Sequence, residues 1–261
     1  MNSKKLFAFF SLLIILTFVA YIIYDTARPD LVMEEKVSET NEPKPADQWS
    51  VMQEIFINEG LKAVAVSEDG FIFVAGDPFV SCFNSELKKI WNLTTPEKIT
   101  AVATYGDTVY AASQELIFLI SRDGKMIREW GPYEPNCLIT SIAANEKYVA
   151  IADAGNKIAF ILKKNGEVIS MIGHFGEKLL IPSPYFDVYL TSENVLYMAN
   201  TGNFRIEKRS IDGLFLSSFG DSGTDPDSFC GCCNPAHFTV IPQGFVTAEK
   251  GINRIKLIGP E

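Results

Sequence analysis

The sequence predicts an all-β protein, a β-propeller of five to six four-stranded blades, preceded by one N-terminal transmembrane helix. Two observations predict this architecture. A short apolar strand that ends in alanine recurs along the chain after residue 49, and turn signals separate it from further strands on both sides. The first 24 residues contain a long apolar run that follows two lysines. Helical periodicity is absent outside that run, so the remainder of the chain is expected to be β-structure.

The N-terminal segment predicts a membrane anchor over residues 1–24. Residues 6–24, "LFAFFSLLIILTFVAYIIY", are apolar except for Ser11 and Thr17. At about 1.5 Å per residue, this run is long enough for a hydrocarbon core of about 30 Å. Lysines precede the run and acidic residues follow it, which places the N-terminus in the cytoplasm. The alternative is a cleaved signal peptide, but the run ends in bulky "YIIY" rather than small residues.

The segment after the anchor is predicted to be a flexible spacer. Residues 25–48 are polar, charged and proline-containing, so they cannot bury enough apolar surface to fold alone. The propeller would then lie outside the cytoplasm, in a periplasm or at the cell surface, as part of a single-pass membrane protein. A net charge of −9 argues against nucleic acid as a partner. The expected partners are the membrane, through the helix, and a protein, peptide or glycan.

The repeats occupy residues 49–261. The alanines that end the second strand of each unit are Ala75, Ala112, Ala152, Ala199 and Ala248. A strand such as "KAVAVS" precedes each alanine, and the turns "RDGK", "KNGE" and "IDGL" join the later strands. A four-stranded meander of this size cannot bury both faces alone, so several units must stack around an axis. The last unit stops where its fourth strand should begin. Either "VMQEIFI" at residues 51–57 closes the ring as that strand, or a sixth blade is truncated.

Two of the repeats carry a specific resemblance. The segments "YMANTGNFRIEKRSIDG" and "AIADAGNKIAFILKKNG" resemble the NHL repeat, which runs from a strand through Ala-Asp/Asn-x-Gly-Asn to Arg-Ile and then Asp-Gly. Residues 196–213 match this pattern well, residues 149–166 moderately and residues 245–260 in part. The resemblance implies a bacterial-type, membrane-anchored propeller, usually six-bladed. It also implies a role as an interaction platform or an extracytoplasmic sensor domain.

Polar residues at the start of the loops after the second strands are candidates for a binding face. They are Asp77, Asp153, Asn200 and Glu249. In a propeller, these loops open onto the same face as the crossovers between blades, around the axial funnel. Their oxygens suit a hard cation such as calcium. The alternative is that each side chain caps its own turn, which is common for Asp and Asn in loops.

The stretch "CGCCNPAHF" at residues 230–238 is the second candidate site. Cys230, Cys232, Cys233 and His237 could hold zinc, copper or iron, with Cys137 as a further ligand from an equivalent crossover. The Cys-x-Cys-Cys spacing is unlike the usual Cys-x2-Cys pairs of zinc sites. An oxidising location favours a disulfide, Cys230–Cys233 or Cys137–Cys233, contributing about 2–4 kcal/mol. A loop without chemistry, with His237 as a hydrogen-bonding residue, is a further alternative. The fifth cysteine, Cys82, is expected to pack inertly within a third strand.

Three functions follow from these candidates. The first is a binding or scaffold module that uses the crossover-loop face, which requires no enzymatic chemistry. The second is a metal-binding or redox protein that uses the loop from Cys230 to His237. The third is a calcium-dependent, lactonase-like hydrolase, which requires Asp153, Asn200 and Glu249 to converge on the axis.

Overall fold

The computed structural model describes residues 14–21, 50–57, 60–174, 178–225, 227–231, 234–251 and 254–259. Residues 14–21 are helical, and no helix among the described residues is long and apolar enough to cross a membrane. The described residues therefore do not support the predicted transmembrane helix over residues 6–24. Most of that segment, and the whole spacer at 25–48, lie outside them.

The β-propeller predicted from the repeats is confirmed, with five blades in the unit Ile55–Glu261. Blade 1 contains β1 (Leu61–Val66), β2 (Ile72–Gly76), β3 (Phe79–Phe83) and β4 (Lys89–Thr94). Blade 2 contains β5 (Ala101–Tyr105), β6 (Thr108–Ala112), β7 (Ile117–Ser121) and β8 (Met126–Trp130). Blade 3 contains β9 (Ile139–Ala144), β10 (Tyr148–Asp153), β11 (Ile158–Lys163) and β12 (Val168–Ile172). Blade 4 contains β13 (Val188–Leu190), β14 (Val195–Asn200), β15 (Arg205–Ser210) and β16 (Phe215–Phe219), and blade 5 contains β17 (His237–Ile241), β18 (Gly244–Glu249) and β19 (Arg254–Ile258).

Every blade is an antiparallel meander whose strands pair in chain order. The tight turns predicted from Asp-Gly and Asn-Gly join the third and fourth strands of three blades. Gly124, Gly166 and Gly213 adopt positive φ there, between 82° and 91°. This conformation is readily available to glycine because it has no Cβ. The turn signals in the sequence therefore fixed the strand register locally.

The second and third strands of the central blades are buried on both sides because neighbouring blades cover both faces. Ile151 of β10 and Phe160 of β11 pack against blade 2, whereas Ala152 of β10 and Ile161 of β11 pack against blade 4. This explains why the strands around the repeated alanines are continuous apolar runs rather than alternating ones. Small alanines at these positions let adjacent sheets approach closely.

The ring is open between blade 1 and blade 5, a region we call the seam. Val64 of β1 is 63% exposed, whereas Ile142, its equivalent in blade 3, is 6% exposed. On the other side of the seam, Leu257 of β19 is 41% exposed, whereas its equivalent Ile161 is fully buried. Within the described ranges, one apolar face of each terminal blade therefore has no neighbouring blade.

The proposed closure of the ring by residues 51–57 is not observed. Blade 5 keeps three strands, and residues 51–57 belong to no strand. Ile55 and Ile57 instead pack against Val74 and Phe79 on the open face of blade 1. Burial of these two side chains on blade 1 holds the segment there, and among the described residues no strand pairs with the outer edge of β19.

Candidate functional site

The five innermost strands surround a cavity of about 1290 Å³ on the propeller axis. Small and apolar side chains form most of its wall, including Ala103, Ile142 and Val188. The cavity extends from the axis into the seam, where Val64 of blade 1 and Ile255 of blade 5 line it. Because the ring is open, the cavity has an entrance that a closed propeller would lack.

A buried carboxylate in the cavity wall, that of Asp187, connects three blades. Its Oδ1 accepts hydrogen bonds from the Ser141 hydroxyl of blade 3 and from the backbone N–H of Val188, the latter at 3.0 Å. Its Oδ2 accepts from the backbone N–H of Phe238 in blade 5, at 2.8 Å. With so many donors, the buried charge of Asp187 is compensated.

His237 lies beside this carboxylate and also lines the cavity. Its Nδ1 is 3.5 Å from Oδ2 of Asp187, and its side chain is 57% exposed. The Asp187 partner raises the pKa of His237 above its ordinary value, against the opposing effect of burial. Asp187 therefore extends the pH range over which His237 is an imidazolium, the form that donates hydrogen bonds from both nitrogens.

Outside the cavity, three further side chains extend the site along the crossover face; with His237 we call them the rim. The ring of Tyr185 meets His237 edge-on, with centroids 6.1 Å apart. The Nζ atom of Lys250 lies 4.2 Å from the centroid of Tyr185 and donates to the Ser183 hydroxyl at 3.2 Å. The rim thus combines a lysine ammonium, an imidazole and an aromatic ring on the crossover face, next to the cavity wall at His237.

The loop "CGCCNPAHF" supports this rim through Asn234, which is buried. The Asn234 side chain accepts from the backbone N–H of Lys250 at 3.0 Å and donates to its carbonyl at 3.1 Å. The same amide donates to the carbonyl of Cys230. The described part of the loop therefore positions Lys250 and, at the start of β17, His237.

Three of the four predicted binding-face residues hold crossover segments against their own blades. The Asp153 carboxylate accepts from the backbone N–H of Leu138 at 2.8 Å, and Asn200 accepts from that of Leu180 at 3.2 Å. Glu249 accepts from the backbone N–H of Cys230 at 3.3 Å. These contacts place the crossovers and the loops after the second strands on one face.

The remaining contacts of these residues are also internal. Asp153 caps its own turn through the backbone N–H groups of Gly155 and Asn156. Glu249 is paired with Arg254 and Lys256. These two basic groups, with the Cys230 N–H, lower the pKa of Glu249 although burial acts in the opposite direction.

Asn200 belongs to a second buried network, around Glu207 of β15. Its amide donates to Oε1 of Glu207 at 2.7 Å, and Arg205 and Arg209 pair with the same carboxylate. Asp77, the fourth predicted residue, pairs with Lys98 at 2.8 Å. None of the four predicted residues is among those that line the axial cavity.

The convergence that the calcium-dependent hydrolase required is therefore not seen. Across the described ranges, no three His, Cys, Asp or Glu side chains are grouped so that they could hold a metal ion. Cys232 and Cys233 lie outside these ranges, so the predicted zinc, copper or iron centre is described only through Cys230, Cys137 and His237.

The predicted disulfides are not present. Cys82, Cys137 and Cys230 are free thiols, which excludes both the Cys230–Cys233 and the Cys137–Cys233 bonds in this structure. Cys137 is fully buried beside Asp153, where burial and the nearby carboxylate raise the pKa of its thiol. Cys82 packs in β3, as expected, and burial raises its pKa to about 11.

Sequence reasoning did not single out Asp187, Tyr185 and Lys250. The available signal for Asp187 was an acidic residue in "FDVYLT", at the start of an otherwise apolar inner strand. Such a residue must be hydrogen-bonded or paired when it is buried. Its partners Ser141 and Phe238 are in other blades, which the local pattern could not reveal.

Comparison with known proteins supports the fold. No family model and no curated protein matches the sequence. Among solved structures, a protein of unknown function from Bacteroides caccae is similar, with 11% identity and a TM-score of 0.58 over 77% of this chain and 75% of that chain. Virginiamycin B lyase from Staphylococcus aureus is similar, with 16% identity and a TM-score of 0.53 over 77% and 70% of the two chains. The WD40 propeller domain of Doa1 has 15% identity and a TM-score of 0.52 over 78% and 66%. At these identities the likeness shows a β-propeller fold alone.

Proposed function

We propose that this protein is a membrane-anchored, extracytoplasmic binding module that takes its ligand at the crossover-loop face, in the axial cavity. The observation that carries the proposal is the cavity itself: mainly apolar walls, an entrance at the seam, and the His237–Asp187 pair in its wall. Ligand sites in proteins commonly combine apolar walls with a few positioned polar groups. The engaged side chains of Asp153, Asn200 and Glu249 would then support the face rather than contact the ligand.

The size of the cavity favours a ligand larger than a metabolite. A volume of about 1290 Å³ exceeds the roughly 300–1,000 Å³ of typical small-molecule pockets. Val64 and Ile255 are exposed on facing walls of the seam, 63% and 68%, and an apolar ligand would bury both. A peptide or a segment of a protein fits these features.

Selection from a displayed library of random twelve-residue peptides tests the proposal, with the full chain held in lipid nanodiscs. Val64→Trp should weaken the selected peptides at least about tenfold, because it fills the cavity from an exposed position without disturbing the core. Ile127→Trp is the matched control, since Ile127 is 59% exposed on the outer strand β8, away from the cavity. Failure to select any peptide, or equal binding by both variants, would overturn the proposal.

The location of the module rests on the N-terminal sequence. Lysines before the apolar run and acidic residues after it favour a cytoplasmic N-terminus and an external propeller. Protease added to intact cells or spheroplasts should digest the propeller. Protection of the propeller until the membrane is permeabilised would contradict this topology.

An enzyme that uses His237 is the second candidate. A virginiamycin B lyase variant with one histidine replaced by alanine is described as catalytically inactive, and its structure contains quinupristin. Here His237 lines the cavity with Nδ1 3.5 Å from the Asp187 carboxylate, an arrangement that suits proton transfer to or from a ligand. Incubation of the full chain with quinupristin, followed by mass spectrometry, tests this candidate. An unchanged substrate would exclude that reaction and leave the binding function in place.

A further inference from the structure

The rim contains a positively charged group without an opposite charge. Arg209, which is buried, and Lys256 are each paired with a glutamate, but no ion pair involves Lys250 in the part of the chain that the structure describes. The half-buried Lys250 ammonium is held by the Ser183 hydroxyl and the face of Tyr185. An ammonium has three donors, so the Ser183 bond leaves others available to a ligand.

The backbone that carries this ammonium is held in place by a buried side chain. Asn234 binds both the N–H and the carbonyl of Lys250 and is itself fully buried. The lysine is thus part of a constructed loop rather than a freely moving surface side chain. In a chain whose net charge is −9, a positioned cation on the crossover face next to the cavity attracts an anionic group.

His237 contributes a second polar group to the rim, and its Nε2 donates a hydrogen bond when the imidazole is protonated. Nδ1 faces Asp187, so Nε2 points away from that carboxylate, on a side chain that lines the cavity. Asp187 already accepts from Ser141, Val188 and Phe238. These neutral donors stabilise the Asp187 carboxylate but leave it negatively charged, so a ligand group with one negative charge is repelled less than a phosphate dianion.

We propose that the rim formed by Lys250, Ser183, Tyr185 and His237 binds the carboxylate of a ligand whose apolar part occupies the axial cavity. This proposal rests on the proposed function and names the chemistry of its ligand. Apolar walls in continuity with a cationic rim match a carboxylate attached to an apolar chain. The size of the cavity favours the C-terminus of an apolar peptide; a short acyl carboxylate shares the chemistry and serves as the alternative source in the test.

Matched pairs of probes test the proposal on the full chain in nanodiscs, by calorimetry. The peptide Val-Ala-Ile-Leu with a free C-terminal carboxylate is compared with its C-terminal amide, and hexanoate with hexanamide. The free acid of at least one pair should bind at least about tenfold more tightly than the amide, as expected for a charge-assisted contact. Preference for the peptide acid or for hexanoate identifies the source of the carboxylate.

Variants connect that preference to the rim. Lys250→Met should remove the preference for the acid while leaving binding of the amide unchanged, and Lys250→Arg should keep most of it. Lys147→Met is the control, because Lys147 is exposed in the turn between β9 and β10 and does not line the cavity.

The outcomes separate this proposal from the proposed function. Equal binding of acid and amide, or a preference that survives Lys250→Met, overturns the carboxylate site but leaves the cavity as a binding site. If none of the four probes binds while library-selected peptides do, the carboxylate site is again overturned alone. If the selected peptides fail as well, the proposed function fails with it.

Discussion

Replacement of Asp187 by asparagine tests whether one carboxylate both joins three blades and sets the state of His237. Asparagine keeps the size of the side chain but removes its charge and turns one acceptor into a donor. Oδ2 of Asp187 accepts the N–H of Phe238 at 2.8 Å, and Oδ1 accepts from Ser141 and Val188. Whichever way the amide is oriented, its NH₂ group faces at least one backbone donor.

The loss of stability can be estimated from these contacts. A hydrogen bond to a charged group contributes about 1.5–3 kcal/mol, and a buried donor without a partner costs about 1–3 kcal/mol. The effects share the same atoms, so we expect a loss of about 3 kcal/mol for Asp187→Asn rather than their sum. For a domain of this size, that loss corresponds to a fall in Tm of about 6–12 °C.

The same substitution should change the titration of His237. Asp187 raises the pKa of His237 in the folded protein, so Asp187→Asn should lower it. In the wild type this pair contributes stability that is fully present below the unfolded pKa of about 6.5 and is lost as pH rises through the folded pKa. The charged groups that face His237 are Asp187 and, across the ring of Tyr185, Lys250.

Two measurements check this prediction. Thermal unfolding followed by circular dichroism gives Tm between pH 5.5 and 8.5, and NMR titration gives the pKa of His237. The chain has two histidines, so a His174→Gln background leaves a single signal. Asp107→Asn is the control, because that side chain is 91% exposed. A loss below 1 kcal/mol for Asp187→Asn, together with an unchanged histidine pKa, would refute the reasoning.

Three further predictions concern other buried groups of the propeller. Thr247 is fully buried and its hydroxyl has no hydrogen-bond partner among the described residues. Thr247→Val should therefore raise the free energy of unfolding, measured by urea titration, by about 1 kcal/mol. A loss of stability would show that the hydroxyl is hydrogen-bonded. Glu207→Gln removes the charge of a fully buried carboxylate that pairs with both Arg205 and Arg209, and should cost about 3–5 kcal/mol by the same assay; a cost under 1 kcal/mol would contradict a dependence on charge. Cys82 and Cys137 are buried, and the pKa of each thiol is raised. Iodoacetamide at pH 8 should therefore alkylate them about a hundredfold or more slowly than the same cysteines in the unfolded protein, as measured by mass spectrometry. Rapid labelling would show that the blades open.

The strands and their order were predictable from the sequence because the signals are local. The repeated alanine, the apolar runs around it and the turn glycines lie within a few residues of the structure that they specify. The missing fourth strand of blade 5 was visible for the same reason. The position of residues 51–57 was not predictable, because it depends on the packing of Ile55 and Ile57 against the open face of blade 1.

The candidate site was predictable only in part. His237 was singled out, but because of the cysteines before it rather than because of Asp187, which lies 50 positions earlier in the sequence and in another blade. The positions of Asp153 and Glu249 on the crossover face followed from the repeat. The direction of their side chains could not be predicted from the repeat, because these side chains bind backbone N–H groups in crossovers of variable length.

The open seam gives the propeller two ends. In a closed propeller the first and last blades pack against each other. Here the five sheets form a curved one-dimensional array instead. Each interior blade has two neighbouring blades and each terminal blade has one. In such arrays, cooperativity passes from neighbour to neighbour, so unravelling begins at the ends and the middle opens last. Blade 3, in the middle of the array, should therefore unfold last, while blades 1 and 5 should be the first to unfold and free to move apart. A ligand that contacts both Val64 and Ile255 would connect the two terminal blades, so binding would stabilise the ends of the array and close it into a ring.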